Sequence, residues 1–61
     1  MRTYSEALEL ALMSARNARR SSNKQVAREL WKIALEYRAE AAKLGDGKLP
    51  ELGDPPQGLE D

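Results

Sequence analysis

Sixty-one residues make one folding unit at most, and the composition removes several kinds of chemistry from it. No Cys excludes a disulfide scaffold, a thiolate zinc site and thiol catalysis, and no His removes the commonest general base and transition-metal ligand. Ten basic and ten acidic side chains give a formal net charge of zero, and no apolar run approaches the ~20 residues that cross a bilayer.

In chain order, Arg2 followed by Glu6 and Glu9 does not read as a secretory signal, so the expected compartment is the cytoplasm. Thr3-Tyr4-Ser5-Glu6 has the form of a capping box, in which Thr3 and Glu6 satisfy each other's orphan backbone donors. The apolar positions Tyr4, Ala7, Leu8, Ala11, Leu12, Ala15 and Ala18 then recur at the spacing of one helical face, predicting a first helix over about 4–20. Arg19, Arg20, Ser21, Ser22 and Asn23 break the pattern. Ser22-Asn23-Lys24-Gln25 has the form of a second capping box, and a second helix is expected over about 23–44. Its apolar face is Val26, Leu30, Ile33, Ala34, Tyr37, Ala41 and Leu44, with Gly45 placed to end it as a C′ glycine. So short a connection makes the two helices an antiparallel hairpin over residues 1–44.

Residues 45–61 are of another kind. They hold all three Pro and all four Gly, and set Lys48 against Asp46, Glu51, Asp54, Glu60 and Asp61. The tail is therefore net −4 and the hairpin, with nine basic and five acidic residues, net +4. A segment this poor in apolar residues is expected to be a flexible, disordered acidic tail. It could also fold back on the basic end of the hairpin. Leu49 to Pro56 could form a polyproline II motif, but lacks the basic residue such ligands usually carry.

The faces carry the expectations about partners. Gln25, Glu29, Lys32, Glu36, Glu40 and Lys43 form one narrow polar strip on helix 2, with pairs at i,i+3 and i,i+4. Trp31, Leu35 and Ala42 make a second apolar stripe, roughly 130° from the first. One partner helix covers one stripe, so the second needs something else. Below ~70–80 residues a single core rarely supplies more than ~3–5 kcal/mol, and small scaffolds without disulfides or metals often oligomerise. The expected architecture is all-α: a hairpin that dimerises into a four-helix bundle, with Trp31, Leu35 and Ala42 at the interface and Leu10 and Met13 as further candidates. Trp31 could instead anchor a different protein, or fold over its own core edge.

The sharpest surface feature is a cluster of Arg16, Arg19, Arg20, Lys24 and Arg28 around the hairpin turn, with no acid between Glu9 and Glu29. Such a cluster attracts the phosphates of nucleic acid or an acidic protein surface. No aromatic residue is interleaved, which argues against a single-strand stacking platform, and Arg16, Arg19 and Arg20 also complement the negative end of helix 1. Nucleic acid is thus the second reading. Glu36/Glu40 and Glu6/Glu9 share helix faces but lack the Glu-x-x-His partner of carboxylate metal bundles. The serines have no base, and no phosphate-binding loop appears. No enzyme activity, metal or cofactor is expected.

Tyr4, Ala7 and Ala11, then Leu30, Ala34, Tyr37 and Ala41, form a pattern that resembles a group of very short bacterial helical-hairpin proteins of unassigned function. The resemblance spans roughly 4–44 and departs at Ser21-Ser22-Asn23, where Asp-Pro would be expected. It implies the hairpin fold and no activity.

Overall fold

The structure, a computed structural model, describes residues 2–58. Glu60 and Asp61, two of the five tail acids, lie outside the described residues. Two helices, α1 (Tyr4–Arg20) and α2 (Lys24–Leu44), form an all-α hairpin with no strand among the described residues. The start of α1 lies beside the end of α2, where Arg2 Nε donates to Glu40 Oε2 at 3.0 Å. No helix is long and apolar enough to cross a membrane among the described residues.

Local chemistry explains both starts. Thr3 Oγ1 accepts from the Glu6 N–H at 3.2 Å while the Thr3 N–H donates to Glu6 Oε1 at 2.8 Å, closing the expected capping box. The second start differs from the expectation by one residue. Asn23, not Ser22, is the cap: its Oδ1 accepts from the N–H groups of Gln25 and Val26 at 2.9 and 3.1 Å. The longer amide side chain reaches two orphan donors at once, and Asn is among the strongest caps. The C-terminal end of α2 also differs. Gly45 has φ −101°, outside the left-handed region. A side chain there is opposed by a neighbour instead, because a Cβ would sit 2.9 Å from the Tyr4 ring.

The interior is built from alanine. Ala7, Ala11, Ala15 and Ala18 of α1 are fully buried, as are Ala34 and Ala41 of α2, with Ala27 nearly so. No large side chain is fully buried. Ala27, Ala34 and Ala41 are seven residues apart and define the line along which α2 meets α1. That line holds Ala34 and Ala41 of the expected face and adds Ala27, so the contact lies at the edge of that face, toward the second stripe, rather than along its middle. Val26, Ile33 and Leu44, expected to meet α1, are exposed, and so are Tyr4 and Leu12. Alanine permits this: small residues let helix axes approach closely, so the contact centres where the side chains are shortest and the larger ones splay to both sides.

The tail carries no helix or strand over residues 45–58, in keeping with its composition, but part of it lies along the hairpin. Leu52 is only 4% exposed and joins Ala11, Ala15 and Ala34 in one cluster, with Trp31, Leu35 and Tyr37 packed against it. Pro56 is buried too. Arg19 Nη1 donates to the backbone oxygens of Leu52 and Asp54 at 2.9 and 3.2 Å. Gly53, between them, has φ +86°, a conformation that favours glycine and lets both carbonyls face one guanidinium.

Candidate interaction surfaces

The hairpin has two broad sides, and the tail distinguishes them. Arg19 falls on the same side of α1 as Leu8 and Leu12 by helix phase. Since Arg19 holds the tail, the tail covers that side together with Trp31 and Leu35 of α2. Residues 50–56 thus form a strap over the second apolar stripe. Ala42, the third residue of that stripe, is buried.

Leu10 and Met13 lie on the opposite side. Leu10 shares a shallow groove with Arg2, Glu6 and Glu9. Arg2 in turn places its guanidinium 5.0 Å from the centre of the Tyr37 ring, so Leu10 and Tyr37 belong to one face. The five candidate interface residues are therefore divided: Trp31, Leu35 and Ala42 on the strapped side, Leu10 and Met13 on the open side. The open side also carries residues expected to be core, among them Val26 at 46% exposed and Ile33 at 39%. Leu30 and Tyr37 are half-buried there. Nothing in the periodicity alone distinguishes this face from a core stripe; the signal was the alanine line running beside it.

The Arg2–Glu40 pair sits at one end of the open face, with both side chains partly exposed. The hydrogen bond and charge of Glu40 hold the Arg2 guanidinium above its ordinary pKa. It therefore stays cationic throughout the accessible range and neutralises Glu40 locally. On α2, Arg38 lies close to the alanine line, and its Nε is buried with no hydrogen-bond partner. Its aliphatic stem accounts for the placement, since long basic side chains lay their methylenes along apolar surface.

At the turn, Arg16, Arg20, Lys24 and Arg28 remain exposed around the tip. Arg19 is committed to the strap carbonyls. A cleft between turn and tail is lined by Arg19, Ser21, Ser22, Lys24, Pro55 and Pro56, and Asp54 also borders it. The tail therefore brings its own acid into the basic cluster. No group of three or more acidic side chains that could hold a metal ion comes together among the described residues.

Compared with known proteins, the chain matches no family model, no curated protein and no solved structure.

Proposed function

We propose that this chain is a small, non-enzymatic interaction or assembly module of the cytoplasm that works by helix–helix packing. One observation carries the reading. Among the described residues the buried side chains are alanines with Leu52 and Pro56 of the strap, whereas Met13, Val26, Ile33 and Leu44 stay substantially exposed. Alanine burial contributes little per residue, and each of these larger side chains still has more than a third of its surface left to bury. Large apolar side chains left exposed at helical spacing on one face of a small domain, as Val26, Ile33 and Leu44 are on α2, mark an association surface. Polyanion binding at the tip ranks second because Arg19, at its centre, already serves the strap.

The test is thermal unfolding and mass across a concentration series. An association module shows a melting temperature that climbs with concentration, because a partner that binds only the folded chain stabilises it by mass action. The same climb is expected when a genuine partner protein is added. A chain that melts cooperatively at one high temperature from dilute to concentrated solution would show that the fold is complete alone, and would remove the reading.

A further inference from the structure

We infer that the open face docks a second copy of this chain, with the two α2 helices running antiparallel along it. This rests on the interaction reading above and names its partner. Val26, Leu30, Ile33, Tyr37 and Leu44 follow the alternating four-and-three spacing of a coiled-coil seam. Ala27, Ala34 and Ala41 make a parallel line one residue over, already filled by α1. A helix with two such neighbouring lines is built to lie between two helices, and one chain supplies only the first. The strap lays Leu52 and Pro56 over part of the other side of the hairpin, whereas no segment of the chain among the described residues lies along this seam.

Charge complementarity specifies the occupant. One seam position is charged, Glu40, and Arg2 neutralises it within the same chain. Antiparallel pairing that sets Ile33 against the second copy's Tyr37 also sets Val26 against Leu44. In that register Glu29, flanking the seam, comes opposite Lys43 of the other copy, and the two-fold repeats the pair. Glu36 opposes its own equivalent at the centre, with Lys32 one turn away to offset it. The molecule measures 32 × 19 × 13 Å, so its broad face projects about 600 Å². Two such faces bury about 1,200 Å², the lower edge of specific interfaces, which implies a reversible, concentration-dependent dimer.

The experiment is sedimentation equilibrium on the full chain over a wide concentration range, with circular dichroism on every variant. The unmodified chain is expected to pass from one to two copies. Ile33→Glu is expected to raise the dissociation constant at least tenfold while helicity persists, because Ile33 is not needed in the alanine interior. Leu12→Glu, equally exposed but on the strapped side, is expected to leave dimerisation unchanged. Glu29→Lys and Lys43→Glu should each weaken the dimer severalfold, and the double exchange should restore it, which a purely structural role would not do. A dimer indifferent to Ile33→Glu but split by Trp31→Glu would overturn the proposal and keep the association reading. A chain that stays a monomer over the whole range would overturn the proposal.

Discussion

Leu52→Ala tests whether the strap belongs to the fold. Leu52 lies in an irregular, Pro- and Gly-flanked segment, yet it is almost wholly buried in one cluster with Ala11, Ala15 and Ala34, against which Trp31, Leu35 and Tyr37 pack. Truncating a buried leucine removes about 2–5 kcal/mol in well-packed cores. The strap can relax more freely than a core helix, which favours the low end, about 2 kcal/mol. That is a large share of the ~3–5 kcal/mol a core of this size supplies. For a domain of this length about 4–8 °C of melting temperature accompanies each kcal/mol, so a fall of roughly 8–16 °C is expected. Circular dichroism at fixed concentration measures it. The single tryptophan, Trp31, gives an independent local readout, since uncovering it shifts its emission to the red. A melting temperature within about 2 °C of the parent, with Trp31 emission unchanged, would refute the reasoning and return residues 45–58 to the status of a free tail.

Four further outcomes follow from particular contacts. Gly53→Ala, at φ +86°, is expected to cost about 1 kcal/mol and to redden Trp31 emission by loosening the strap, whereas Gly47→Ala, also at positive φ but with open space around it, should strain the backbone without that spectral change. Asn23→Ala removes the side-chain acceptor for two N–H groups at the start of α2 and should destabilise by about 1 kcal/mol in chemical denaturation. Arg38→Met keeps the aliphatic stem and removes a buried, unpaired Nε, so a gain of about 1 kcal/mol is expected; a loss of that size would show that the guanidinium does structural work. Deleting residues 45–61 frees Arg19 and removes acidic charge, and should increase retention on heparin and DNA in a salt-dependent way, an increase that Arg19→Gln should reduce; unchanged retention would dismiss the tip as a polyanion site.

Helix boundaries and the first cap were legible because they depend on local chemistry. Thr3 and Glu6 are three residues apart whatever the rest of the chain does, and the run from Tyr4 to Ala18 has one period. The side of α2 that meets α1 was legible only in part: Ala34 and Ala41 stand on the expected face, and Ala27 does not. Periodicity weights large side chains, so Val26, Ile33 and Leu44 drew the axis toward themselves, whereas the packed helices meet where side chains are smallest. The strap was hidden for a different reason. Leu52 stands alone between Glu51 and Gly53, with no repeat to identify it, and its burial depends on a guanidinium thirty-three positions earlier in the chain. Of the candidate interface residues, Trp31, Leu35 and Ala42 were expected on one stripe of helix 2, but periodicity could not show that the chain's own tail lies against that stripe.

The seven-residue repeat of alanines has one more consequence. Ala27, Ala34 and Ala41 present the same small surface at three heights, and Ala11 and Ala18 answer with two of their own. Sliding α2 along α1 by one repeat, about 10.5 Å, would bring alanine against alanine again. Interiors of large, differently shaped side chains forbid such slippage by collision, but this one does not discriminate among its own alignments. The discrimination comes from outside the interior. Three residues, Ser21 to Asn23, are too few to span a slipped pair, and the Arg2–Glu40 and Arg19–Leu52 contacts each fit one alignment only. Lengthening that connection would therefore do more than loosen a turn: it would hand the choice of alignment to a few bonds at the periphery.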